Sequence, residues 1–229
     1  MKISLLHALA HAMLRDYRDV KPSADLAWNR SDAVRVIDCV LSLNRDYDNI
    51  VVPRVQRFEQ DHPEVDSVAA LQVMMRSCAS PHEFLREHLR YNHAKRAVIL
   101  MAVVDYLTTV GDIREWARTA DPAGYKQVGI KGFAIAGWQY LRMLFGANTV
   151  KPDIYIKRYV EQVTGEPIGA SVKLIKLFEE ASQLAGLRAI DVDNAIWEES
   201  ARGTLSALPV NSTPCLTTSK TNTNCSTVR

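Results

Sequence analysis

At 229 residues the chain is long enough for one large domain or two modest lobes that share a core. Hydrophobic residues make up 47% of it, charged residues 24%, and the net charge is +2, which describes an ordinary globular protein rather than a disordered one. No apolar run reaches the length that a bilayer span needs, so a membrane-embedded protein is excluded and no membrane partner is expected.

The first 17 residues carry one lysine and an apolar middle, so a signal peptide has to be weighed. His7 and His11 interrupt that middle, and Leu5, Leu6, Leu9, Met13 and Leu14 recur at helical spacing. An amphipathic first helix is the better reading. Next comes a helical stretch over 33–43, with Val34, Val36, Ile37, Val40 and Leu41 inside and Asp32 as its cap. A helix over 50–58 has Pro53 in its first turn, where a missing N–H costs little. Another covers 68–75. Ser80, Pro81 and Glu83 then form a start of the capping type for 80–89. Asn92 is placed to cap the apolar run 94–107, Gly111 and Asp112 break it, and 113–118 makes a short helix. Helices over 171–184 and 191–200, separated by the turn at Gly186, complete the pattern. No segment alternates with a period of two, so the expected fold class is all-α. From Leu208 onward serine, threonine and asparagine dominate, and a disordered tail over 208–229 is expected.

Cys39, Cys78, Cys215 and Cys225 form no C-x-x-C pair and have no histidines at zinc spacing. Cys39 lies in an apolar run and reads as a core residue. No disulfide, metal or cofactor is implied, and a cytoplasmic location is expected.

The stretch 121–159 concentrates positive charge. After Gly124 it holds six basic residues (Lys126, Lys131, Arg142, Lys151, Lys157 and Arg158) against one carboxylate, Asp153. Gly129 and Gly132 bracket a tight turn that leaves amide groups uncovered ahead of a long apolar helix. Such a turn can hold a phosphate, with Lys126 and Lys131 strengthening the contact, or it can simply let two helices of a bundle approach closely. Asp153, after Pro152, reads as a helix cap or as a carboxylate that orients water and stabilises a cationic sugar.

Three segments in order, 36–65, 89–107 and 130–160, resemble the helix-hairpin-helix DNA glycosylase superfamily, which includes endonuclease III and the 3-methyladenine glycosylases. Gly132 matches the first hairpin glycine, Phe145 and Gly146 the turn after the apolar helix, Asp153 the catalytic aspartate and Arg158 the arginine five residues later. Ser42 matches the family's polar turn, and Asn44 stands where a glutamine often fills the gap left in DNA. The resemblance spans about 28–200. It implies two helical lobes with a DNA-binding cleft between them: 31–147 with the hairpin, and a discontinuous lobe of 1–30 with 148–207. It implies duplex DNA held through Gly129, Lys131, Gly132, Ala134, Lys126, Lys151 and Arg158. A damaged base would be flipped into a pocket, with Trp28, Tyr125 and Trp138 as weaker candidates to stack on it.

The departures narrow the chemistry. Ala134 replaces the second hairpin glycine, Lys131 the family's proline, and Tyr155 a histidine. Ile135 or Ala136 occupies the position of the lyase lysine, so the resemblance implies a monofunctional hydrolase without lyase activity. The four-cysteine iron–sulfur loop is absent, and a monomer without that cluster is expected. A catalytically inactive DNA-binding relative and a helical protein-interaction domain are the competing readings.

Overall fold

The structure, a computed structural model, describes residues 3–22 and 30–201. The expected tail at 208–229 and the stacking candidate Trp28 lie outside these residues. Among the described residues the chain is helical, with no strand. The helices are α1 (Ile3–Tyr17), α2 (Asp32–Leu41), α3 (Val52–Asp61), α4 (Val68–Ser77), α5 (Pro81–His88), α6 (Ala94–Leu107), α7 (Ile113–Thr119), α8 (Tyr125–Val128), α9 (Ile135–Leu144), α10 (Ile154–Thr164), α11 (Val172–Leu184) and α12 (Ala189–Ala201). One π-helical turn, Tyr47–Val51, leads into α3. No helix among the described residues is long and apolar enough to cross a membrane.

Side-chain oxygens set most of the helix starts. Ser80 accepts from the Glu83 N–H at 3.1 Å while Glu83 reaches back to the Ala79 N–H at 2.6 Å, a reciprocal cap. Ser67 and Ser171 cap α4 and α11 through their hydroxyls, without the reciprocal partner. Two starts fall one residue away from the sequence expectation. Ser31, not Asp32, caps α2, because Asp32 is already the first helical residue, donates its N–H to the Asp66 carbonyl and directs its carboxylate to Arg35 and Arg114. His93, not Asn92, caps α6 through Nδ1, because the Asn92 side chain is engaged by His82. Pro53 sits in the first turn of α3.

Burial divides into two clusters. The larger gathers side chains between Ala33 and Phe145, with Phe58, Phe84 and Trp138 among the fully enclosed ones. Each such side chain contributes about 1.5–3 kcal/mol by leaving water. α2 lies at its centre, packed against α3, α4, α6 and α9, and nine of its ten residues are buried. The close approach of α2 and α9 depends on Gly137: a Cβ there would lie 2.7 Å from Leu43 Cδ2 and 2.8 Å from Phe133 Cε2. The Cys39 thiol, fully buried, donates to the Gly137 carbonyl at this crossing. The second cluster is made by α1, α10, α11 and α12 around Leu9, Met13, Val160, Phe178 and Ile196, joined by Ile135 from α9. Tyr125 packs against both.

Candidate functional site

Asp153 stands at the N-cap of α10. Its Oδ1 accepts from the N–H groups of Tyr155 at 2.9 Å and Ile156 at 3.2 Å, which meets the orphan donors of that helix start. Oδ2 has no hydrogen bond among the described residues. The cap therefore consumes one carboxylate oxygen and leaves the other. The same residue lines a pocket of about 150 Å³ together with Tyr47, Tyr140, Lys151, Asp193 and Trp197.

The aromatic wall of this pocket is held from behind. Asp38, 1% exposed in α2, accepts from the Tyr47 hydroxyl at 2.6 Å, the Tyr140 hydroxyl at 2.9 Å and Arg30 Nη1 at 3.1 Å. Burial raises the Asp38 pKa, opposed by these donors. Both tyrosine hydroxyls are thus spent on Asp38, and the rings are fixed. The Tyr47 ring meets Trp197 of α12 edge-on, with centroids 5.7 Å apart. The π turn at Tyr47–Val51 places Tyr47 for both contacts. Lys151 Nζ lies 4.2 Å from the centre of the Tyr140 ring, a cation–π contact at the pocket wall.

A second carboxylate completes the pocket. Asp193 of α12 is 8% exposed, and its Oδ1 accepts from the Lys151 backbone N–H at 2.9 Å. Burial first, and then the neighbouring Asp153 charge, push its pKa well above the usual carboxylate range. The pocket therefore pairs an acid that favours its protonated form with a carboxylate that keeps one oxygen open.

The glycine turn lies between α8 and α9. Gly129 and Gly132 have φ of 68° and 88°, in the left-handed region. Lys126, Gly129, Lys131, Gly132 and Ala134 are exposed. Ala134 is the N-cap of α9 and supplies no side-chain acceptor, so the first amides of that helix have no side-chain cap.

The structure brings Asp153 and Lys151 together, and Arg158 is exposed one helical turn beyond Asp153. It separates other residues of the basic stretch. Arg142 is 6% exposed and faces away from this pocket, so the six cations do not form one surface. Trp138 is a correction to the stacking candidates: it is 2% exposed, donates from Nε1 to the Asp121 carbonyl, and packs its ring edge-on against Trp116. Tyr125 is half-buried between the two clusters and does not line the pocket. Asn44 is exposed with φ of 51°, at the turn after α2.

Sequence reasoning missed Asp38, Tyr47, Tyr140, Asp193 and Trp197. One signal was present in α12, where Asp193 and Trp197 stand four residues apart and share a face that Val192 and Ile196 do not.

The chain matches, over residues 6–201, the family described as Domain of unknown function (DUF8548). It belongs to that family. The family match takes in the glycine turn, Asp153, Asp193 and the aromatic wall alike. No curated protein and no solved structure matches this DUF8548 chain significantly. Among its described residues no group of His, Cys, Asp and Glu is arranged to hold a metal ion.

Proposed function

We propose that this protein is a DNA-binding glycosylase of the base-excision-repair type that hydrolyses the N-glycosidic bond of a damaged or modified base. The observation that carries the reading is Asp153, whose Oδ1 is fixed by two backbone amides while Oδ2 stays open beside an aromatic pocket. A carboxylate so placed stabilises the oxocarbenium character that builds on the sugar as the base departs, and orients the water that adds. Asp193, favouring its protonated form, is the donor available to the leaving base. The rings of Tyr47, Tyr140 and Trp197 offer faces for an extruded base.

In this reading the two buried clusters are two lobes, and the pocket is the floor of the cleft between them. α8, the glycine turn and α9 act as a helix-hairpin-helix. The uncapped start of α9 and the exposed Lys126 and Lys131 receive a backbone phosphate. Asn44, on its exposed turn, is the residue available to the vacated stack.

The test is a panel of duplexes, each carrying one modified base, with base release measured for wild type and Asp153→Asn. The variant is expected to lose release while retaining duplex affinity within a factor of a few. Lys131→Glu is expected to weaken duplex binding and to lower its salt slope by about 1. Base release that survives Asp153→Asn overturns the mechanism.

Two observations favour a second reading. Capping α10 is by itself a sufficient reason for Asp153, and Ala134 stands in place of the second hairpin glycine. A DNA-binding module without chemistry would show the Lys131→Glu effect and no release from any duplex.

A further inference from the structure

A second cleft, of about 750 Å³, opens on the other side of α9. Arg142 lines it, while Tyr140, two residues earlier and on nearly the opposite side of the helix, lines the Asp153 pocket. Three cations meet at the cleft from separate elements: Arg118 at the end of α7, Arg142 in α9 and Lys176 in α11. Among the lining residues they face a single carboxylate, Glu179, which leaves a surplus of two positive charges.

Arg142 makes this more than a basic surface. Its side chain is 6% exposed, and two of its three nitrogens are committed: Nε donates to the Ala117 carbonyl at 2.9 Å and Nη1 to Gln139 Oε1 at 2.7 Å. Nη2 has no partner among the described residues. Nor is it sealed in, since the enclosed side-chain atoms without a partner are Arg54 Nε and Arg96 Nε. The guanidinium is therefore held rigidly from behind, with the N–H groups of Nη2 left at the lining of the cleft. Burial lowers its pKa, and the charges of Glu179 and Asp121 only partly offset this. Glu179 forms no ion pair with it, and Glu179 Oε1 accepts from the Thr149 hydroxyl at 2.6 Å. A buried cation without an ion pair at contact distance is costly, and a bound anion offsets that cost. Arg118 and Lys176 are exposed and form no hydrogen bond or ion pair among the described residues, so both are free to close on a ligand.

We propose that this cleft binds a phosphate dianion, free or carried as a monoester on a small molecule, between Arg142, Arg118 and Lys176. The lining carries two more cations than carboxylates, which favours an anion, and Arg142 Nη2 keeps its N–H groups for the phosphate oxygens. The cleft also has room for the group that carries the phosphate. The proposal is independent of the glycosylase reading and of the glycine turn.

The experiment titrates the full chain with inorganic phosphate and, separately, with ribose 5-phosphate at constant ionic strength, by calorimetry. Saturable one-to-one binding of at least one probe is expected. Tighter binding of the sugar phosphate assigns the cleft to a monoester, and equal binding assigns it to free phosphate. The double variant Arg118→Gln/Lys176→Gln, which leaves the buried Arg142 contacts in place, is expected to bind at least tenfold more weakly. Lys95→Glu, at an exposed position of α6, is expected to bind as wild type does. Absence of saturation with both probes overturns the proposal. So does undiminished binding by the double variant, or an equal loss of binding in Lys95→Glu, which would show an effect of net charge rather than a site.

Discussion

The Tyr140 hydroxyl donates to Asp38 Oδ1 at 2.9 Å, linking α9 to α2 across 102 residues of sequence through a carboxylate that is 1% exposed. Tyr47 and Arg30 converge on the other oxygen, so one buried acceptor holds three donors. Asp38→Ala leaves all three without it and is expected to destabilise the fold by about 3–5 kcal/mol. Asp38→Asn retains one acceptor oxygen and is expected to cost less than the alanine. Urea unfolding of both variants gives the order, and equal costs would show that the hydrogen bonds are not what matters.

Asp193 predicts a pH dependence. Its folded pKa is raised, by burial and then by Asp153, so ionising it opposes folding. Its contribution to stability is intact below the ordinary carboxylate range and is lost as pH rises towards the folded value. Asp193→Asn imitates the protonated form and keeps an acceptor for the Lys151 N–H. The stability of the variant relative to wild type is therefore expected to grow with pH above about 4, by no more than about 1.4 kcal/mol per pH unit, and then to level off. Denaturant melts across that range measure it. A difference that stays flat contradicts the assignment.

Gly137 reverses a general rule. Within a helix, alanine is ordinarily more stable than glycine by about 1 kcal/mol. Here the added Cβ would press on Leu43 and Phe133 at distances below 3 Å. Gly137→Ala is expected to destabilise by about 1–3 kcal/mol, because the α2–α9 crossing is already packed. A stabilised variant would mean that these two side chains move aside freely.

The two turn glycines should differ in a way that separates strain from crowding. Gly129→Ala pays only for its φ of 68°, with no atom closer than 4.0 Å to the new Cβ, and is expected to cost about 1 kcal/mol. Gly132→Ala adds a contact of 2.9 Å with Ile99 Cδ1 to a φ of 88° and is expected to cost more. Ile99→Val should recover part of the Gly132→Ala loss and none of the Gly129→Ala loss. Thermal melts of the double variants decide it.

What was legible in the sequence follows from which forces are local. The reciprocal cap at Ser80 and Glu83, Pro53 in a first turn and the αL position of Gly129 each depend on neighbours within four residues. The π turn at Tyr47–Val51 is different, since it serves Asp38 and Trp197, which are remote or on another helix. Asp38 stands within an apolar run and was passed over, because only the tertiary arrangement supplies its three donors. Asp153 was singled out by its place after Pro152 and by the family resemblance. Asp193 was not, because its altered acidity comes from burial and from Asp153, 40 residues away. The charge count along 121–159 misled in one respect. Adjacent cations on a helix point in different directions, and Arg142 was drawn to the opposite side by Ala117 and Gln139.

The thiol of Cys39, enclosed at the contact of α2 with Gly137, gives the molecule an internal clock. Burial pushes its pKa up, so in the closed state it is neither ionised nor reachable by an alkylating reagent. With Cys78, Cys215 and Cys225 replaced by serine, labelling requires α2 to leave its neighbours, and where alkylation outruns reclosing its rate is the rate of opening. α2 and α9 also carry Asp38 and Tyr140, so an opening that parts these two helices breaks the hydrogen bond that holds the aromatic wall of the pocket.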